Sequence, residues 1–269
     1  MSTSRSPLPL VLILLGGAGV IWATYTYVGA TQPQLAAAQV AVPVQASELV
    51  DAAGKGDVGA VKRLLAAGVK ADATTGDRRT ALMLAALGEG PAVAQILIEA
   101  KANVNARDEN GWTALMLASA RGPAATVESL LQAGAATEAR NKFGETALVQ
   151  AVRSGEIVKL ELLLKNGAAV DTLGDDLSSP VAIAAESGAE PALLELLIAK
   201  GGKADQADKY GVTPVMKAAK NGSATLVAIL LKAGASTAAK DQSGLTALQH
   251  AENRGDEAGA AVAKLLGGK

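Results

Sequence analysis

His250 is the only histidine in the chain, and there is no cysteine. An imidazole acting as a general base needs a nucleophile and an orienting carboxylate within hydrogen-bond reach. One histidine cannot build a multi-His metal site. Without cysteine there is no thiolate ligand, disulfide, Cys nucleophile or lipid-attachment thiol. His250 is therefore read as a surface or helix-packing residue. Gly54-Lys55-Gly56 lacks both the spacing of a phosphate-binding loop and the Ser or Thr that should follow its lysine. Gly16-Gly17-Ala18-Gly19 lies in an apolar stretch with no strand before it. Asp175-Asp176 suggests a cation, but adjacent carboxylates on a loop read as solvated. The formal net charge is −1, with both signs interspersed, so nothing draws a nucleic acid electrostatically. No catalytic residue, metal ligand or cofactor is assigned, and the chain reads as a non-enzyme.

The elements around these residues fall into three segments. Arg5 is the only charge before Glu48, and residues 8–28 are nearly all apolar. Residues 1–30 are expected to be either a signal peptide, cut near Thr31 or Gln39, or a retained single-pass anchor. About 20 apolar residues suffice to cross a bilayer. Trp22, Tyr25 and Tyr27 would mark its outer interface. Residues 31–46 are uncharged, carry two prolines and read as a linker.

From residue 47 the chain repeats itself. Ser47, Thr80, Thr113, Thr146, Ser179, Thr213 and Thr246 open seven units spaced by 33, 33, 33, 33, 34 and 33 residues. Two positions on stands Leu or Val, and five positions on all seven units have Ala. Nine positions on, six of seven have Gly; Glu89 is the exception. Paired aliphatics follow: Leu64-Leu65, Leu97-Ile98, Leu130-Leu131, Leu163-Leu164, Leu196-Leu197 and Leu230-Leu231.

The pattern predicts a short helix opened by a capping hydroxyl and closed by a left-handed Gly. A second amphipathic helix follows, its Leu pair turned inward. Gly68, Gly134, Gly167, Gly201 and Gly234 end it, and the extra residue of the fifth unit is placed just before Gly201. Charges on the second helices (Glu128, Lys159, Glu161, Glu195) are expected on a solvated outer face. Asp108, Asn141, Asp208 and Asp241 each precede a Gly by three, which predicts type I turns at the tips of hairpin-like fingers. Neither helix is long enough to be stable alone, so the units must stack.

These features resemble the ankyrin-repeat family, whose pattern T-P-L-H-x-A-A is matched by "TALMLAA" at 80–86, "TALMLAS" at 113–119, "SPVAIAA" at 179–185 and "TPVMKAA" at 213–219. The resemblance covers residues 47–269 and implies an all-α repeat solenoid of about seven units, with 47–79 and 246–269 as caps. The family's His, which buttresses neighbouring loops, is replaced by Val50, Met83, Met116, Val149, Ala182, Met216 and Gln249. This departure leaves the rigidity of the fingers open, while the stack itself is unaffected.

The resemblance also implies that a protein partner is gripped on the concave side, formed by fingers and first helices. Finger residues vary between units while the framework stays constant. The expected contact residues are Arg79, Glu109, Asn110, Trp112, Lys142, Phe143, Glu145, Lys209, Tyr210 and Leu245. Trp112, Phe143 and Tyr210 are the only aromatics after residue 46. They read as interface anchors or as rings lying flat against the next finger. The expectation is a monomeric protein-interaction adaptor of a bacterial envelope, in the periplasm, anchored in the inner membrane through residues 8–28 or released. The alternative is an inhibitor or immunity-type protein that occludes an envelope enzyme or toxin.

Overall fold

The computed structural model describes residues 45–88 and 90–268, which form helices joined by tight turns. The apolar segment 8–28 lies outside the described residues. Among the described residues no helix is long and apolar enough to cross a membrane.

Seven helix pairs follow one another. The first helices are α1 (45–54), α3 (Ala81–Ala85), α5 (Ala114–Arg121), α7 (Ala147–Ser154), α9 (Pro180–Ser187), α11 (Pro214–Asn221) and α13 (Ala247–Glu252). Their partners are α2 (Val58–Ala66), α4 (Ala92–Glu99), α6 (Ala124–Gln132), α8 (Ile157–Lys165), α10 (Pro191–Ala199), α12 (Ala224–Lys232) and α14 (Glu257–Leu265). From α3 on, each first helix packs on its own partner and on the first helices of neighbouring units, α5 on α7 and α11 on α9 and α13.

The repeating residues make this stack. Leu82, Leu115, Leu148, Val181 and Val215 are fully buried between first helices, and the small Ala85, Ala118, Ala151, Ala184 and Ala218 let the helices approach. Each such Leu contributes roughly 1.5–3 kcal/mol on burial, and the neighbouring unit supplies the cover. Leu248, at the same place in the last unit, is only partly buried because no further unit lies beyond it among the described residues. Its Cδ1 is instead met by the turn at Gly268.

Five expectations need correction. The helix at 45–54 already includes Ser47, which is exposed within it and caps nothing. The capping hydroxyl works at Thr80, Thr113, Ser179 and Thr246, which accept the N–H three residues on. The hydroxyls of Thr146 and Thr213 are buried without a partner.

Gly122 is not left-handed: its φ is −80° and ψ 172°. It precedes Pro123, which disfavours the helical region for the residue before it. Gly is required there for space, because a Cβ would collide with the Ala86 carbonyl of the preceding unit.

The inserted residue of the fifth unit lies between its helices, in Gly188-Ala189-Glu190, because α10 keeps the nine residues of α6, α8 and α12. The aliphatic pair is therefore Leu197-Ile198. From the second unit on, the first member of each pair is fully buried (Leu97, Leu130, Leu163, Leu197, Leu230) and the second is less covered, whereas Leu64 and Leu65 are both only partly buried.

Lys159 is not on a solvated face. It is fully buried in the first turn of α8, with Nζ 2.8 Å from Glu156 Oε1. Glu128, Glu161 and Glu195 are exposed as expected.

Candidate protein-binding surface

Six fingers have one geometry. In the finger 141–145, Gly144 N–H donates to Asn141 O, and Asn141 N–H donates to Glu145 O. This is a type I turn closed by a left-handed residue, Gly144 at φ 72°. Asn141 Oδ1 also accepts the N–H groups of Phe143 and Glu145. Fingers 108–112, 208–212 and 241–245 repeat the arrangement with Asp108, Asp208 and Asp241. Fingers 75–79 and 174–178 keep the backbone pattern but lack both the leading Asp or Asn and the Gly. Their left-handed residues are Arg78 and Leu177, each at φ 61°.

The fingers are tied into a row. Lys142 N–H donates to Asn110 O, Asp175 N–H to Phe143 O, Lys209 N–H to Asp176 O and Gln242 N–H to Tyr210 O, all at 2.9–3.1 Å. In the segments between second helix and finger, side chains of one unit accept backbone N–H groups of the next. Asp72 accepts from Asn103, Asn105 from Ala136, Glu138 from Ala169, Asp171 from Lys203 and Asp205 from Ser236.

Where the family's His is missing, three units supply another brace. In these units the residue one position later reaches from the first helix back to the finger base. Gln150 donates to Glu145 at 2.9 Å, Lys217 pairs with Asp208 at 3.3 Å, and His250 Nε2 lies 2.7 Å from Asp241 Oδ2. Lys217 also pairs with Glu186 at 2.9 Å. The N–H of Leu245 holds the Asp241 carboxyl below its ordinary pKa. Burial opposes this and the His250 ring adds to it. Burial raises Asp176, yet the N–H and hydroxyl of Ser178, with the Lys217 charge, bring it below the ordinary value. Among the described residues no group of three or more His, Asp and Glu is placed to hold a metal ion.

The structure divides the expected contact residues. Phe143 and Tyr210 are 62% and 55% exposed, so neither ring lies flat on the next finger. Trp112 is half-buried and packs on the core. The reason is register: Phe143 and Tyr210 stand just before the turn Gly, Trp112 just after it. Trp112 thus shares its place with Val212 and Leu245, which also pack inward or are half-covered. Glu145 is occupied by Arg153, Gln150 and Asn141. Arg79 pairs with Asp77 at 3.2 Å. Glu109, Asn110, Lys142 and Lys209 are exposed at the tips, with Lys209 Nζ 5.2 Å from the Tyr210 ring centre. Leu177, 46% exposed on the finger between Phe143 and Tyr210, lies outside the expected contact set. Its alignment with the turn glycines was the available signal.

A family model described as ankyrin repeats (3 copies) matches residues 49–141, 115–201 and 181–267. The crystal structure of the ankyrin repeat domain of Bcl-3, a member of the IkappaB protein family, is similar at 29% identity and a TM-score of 0.67. That similarity covers 82% of this chain and 98% of that one. The human ASB11 ankyrin repeat domain is similar at 28% identity and a TM-score of 0.74, again covering 82% and 98%. No curated protein matches the sequence.

Proposed function

Because the chain belongs to the ankyrin-repeat family, we propose that it is a non-catalytic protein-binding module, an adaptor or scaffold, gripping its partner with its fingers and first helices. One observation carries the reading: Phe143 and Tyr210 stand more than half exposed on fingers fixed by backbone hydrogen bonds. Rigid aromatic anchors lose little conformational freedom on binding and dominate interface energies, at roughly 2 kcal/mol or more each. The contact set in this reading is Phe143, Tyr210, Lys142, Lys209, Glu109 and Asn110, with Trp112 and Glu145 serving the scaffold. Residues 8–28 would export the chain in a bacterium, leaving the repeats in the periplasm, tethered to the inner membrane or released.

The test is crosslinking capture from native envelopes with the intact chain and with a Phe143→Ser, Tyr210→Ser variant. We expect the variant to melt like the parent and to lose its partner. Undiminished capture would remove the fingers from the interface. The mature N-terminal mass in the same sample reads the tether, since a start at Thr31 or Gln39 means release.

A further inference from the structure

We infer that the finger tips seat an amphipathic helix of the partner, laid along the stack with apolar residues seven positions apart. This deepens, and rests on, the protein-binding reading of the fingers. Three relationships carry it.

The first is pitch. Packed helices lie about 8–10 Å apart, and the fingers that extend from them are bonded in a row. Equivalent tip atoms therefore repeat at about that distance. Seven residues of α-helix rise about 10.5 Å and return to nearly the same face. In an extended strand three residues span about 10 Å, but they point to opposite sides. A helix can set one side chain on each tip; a strand cannot.

The second is the apolar row. Phe143, Leu177 and Tyr210 occupy three successive fingers and are all large, apolar and exposed. The middle finger has Asp176 where its neighbours have aromatics, and Leu177 supplies the apolar group one residue later.

The third is charge. The second position of successive fingers reads Glu109, Lys142, Asp175, Lys209, alternating in sign, and all four are exposed. Among the described residues none of them is in an ion pair. A helix carrying the complementary alternation every seven residues docks in one register. A slip of one finger sets like charges face to face, which excludes that alternative.

The probes are two synthetic helices of about 24 residues, each with leucines seven apart. One carries charges complementary to the Glu109-to-Lys209 pattern and the other carries them inverted. Both are titrated onto the intact chain by fluorescence anisotropy. The complementary helix should bind at least ten-fold tighter than the inverted one, and Phe143→Ser with Tyr210→Ser should weaken it at least ten-fold. Reversing the tips (Glu109→Lys, Lys142→Glu, Asp175→Lys, Lys209→Glu) should reverse the preference, which a folding defect cannot do. Equal binding of the two helices, or binding of neither, overturns the inference. If neither binds while Phe143→Ser with Tyr210→Ser still abolishes native capture, the fingers remain the interface and only the helix is wrong. If native capture also survives that variant, both readings fall.

Discussion

Lys159 Nζ lies 2.8 Å from Glu156 Oε1, with the lysine wholly buried and the glutamate about half in water. Val93, Thr126, Leu193 and Leu226 occupy the corresponding place in other units, all buried. Moving an ammonium out of water costs more than one ion pair readily returns, and apolar replacement of such pairs is often stabilising. Lys159→Leu should raise stability by about 1–3 kcal/mol, read as a higher urea midpoint. Glu156→Gln should lower it by about 1–2 kcal/mol, a value reduced by the glutamate's exposure.

Among the described residues, three other than glycine hold left-handed backbone: Arg78, Lys101 and Leu177. A side chain there costs roughly 1–2 kcal/mol. Lys101 stands where Gly68, Gly134, Gly167, Gly201 and Gly234 end the other second helices. Lys101→Gly should therefore raise the melting temperature by about 2–4 °C for a domain of this size. Leu177→Gly should do the same while weakening the complementary helix probe, so stability and binding move in opposite directions at that finger.

The opening threonines divide into two groups. Thr113 caps α5 through its bond from Met116 N–H, whereas the Thr146 hydroxyl is buried unpaired. Thr113→Val should cost about 1 kcal/mol. Thr146→Val, which removes an unsatisfied group of similar shape, should be neutral or slightly stabilising. Equal losses in denaturant titrations would contradict the pairing.

Acid should loosen the finger 241–245, which the His250–Asp241 contact braces. The folded Asp241 carboxyl titrates below its ordinary value near 3.8. Its contribution is thus complete above that value and is lost as pH falls through the lower folded pKa. Asp241→Asn keeps the acceptor geometry that Asn141 already uses but removes this titration. Its melting temperature should fall less steeply than the parent's below pH 4, measured by circular dichroism across pH 2–7.

Much of the architecture is legible because its cause is local. The Leu and Ala positions recur with the stack, and the turn glycines recur with positive φ. Errors arose where one unit departs from the pattern. Aligning Leu196-Leu197 by number hid the inserted Ala189, although nine-residue helices on either side fix where it must go. A lysine on a second helix reads as solvated by type, yet its alignment with Val93, Leu193 and Leu226 placed Lys159 inside. The distinction between Trp112 and the exposed rings was likewise available, as a one-residue difference in position relative to the turn Gly. The bracing by Gln150, Lys217 and His250 was not legible, because it depends on how finger and helix meet in space.

Among the described residues, every backbone N–H that bonds across a unit boundary takes its acceptor from the unit before it. This is true of the tip bonds of Glu109, Lys142, Asp175, Lys209 and Gln242 and of the bonds before the fingers from Asn103 to Ser236. The polymer therefore has a grain. As the nascent chain leaves the ribosome from its N-terminus, each completed pair already presents the oxygens that the next will need. The main-chain bonds between units can therefore close in the order of translation.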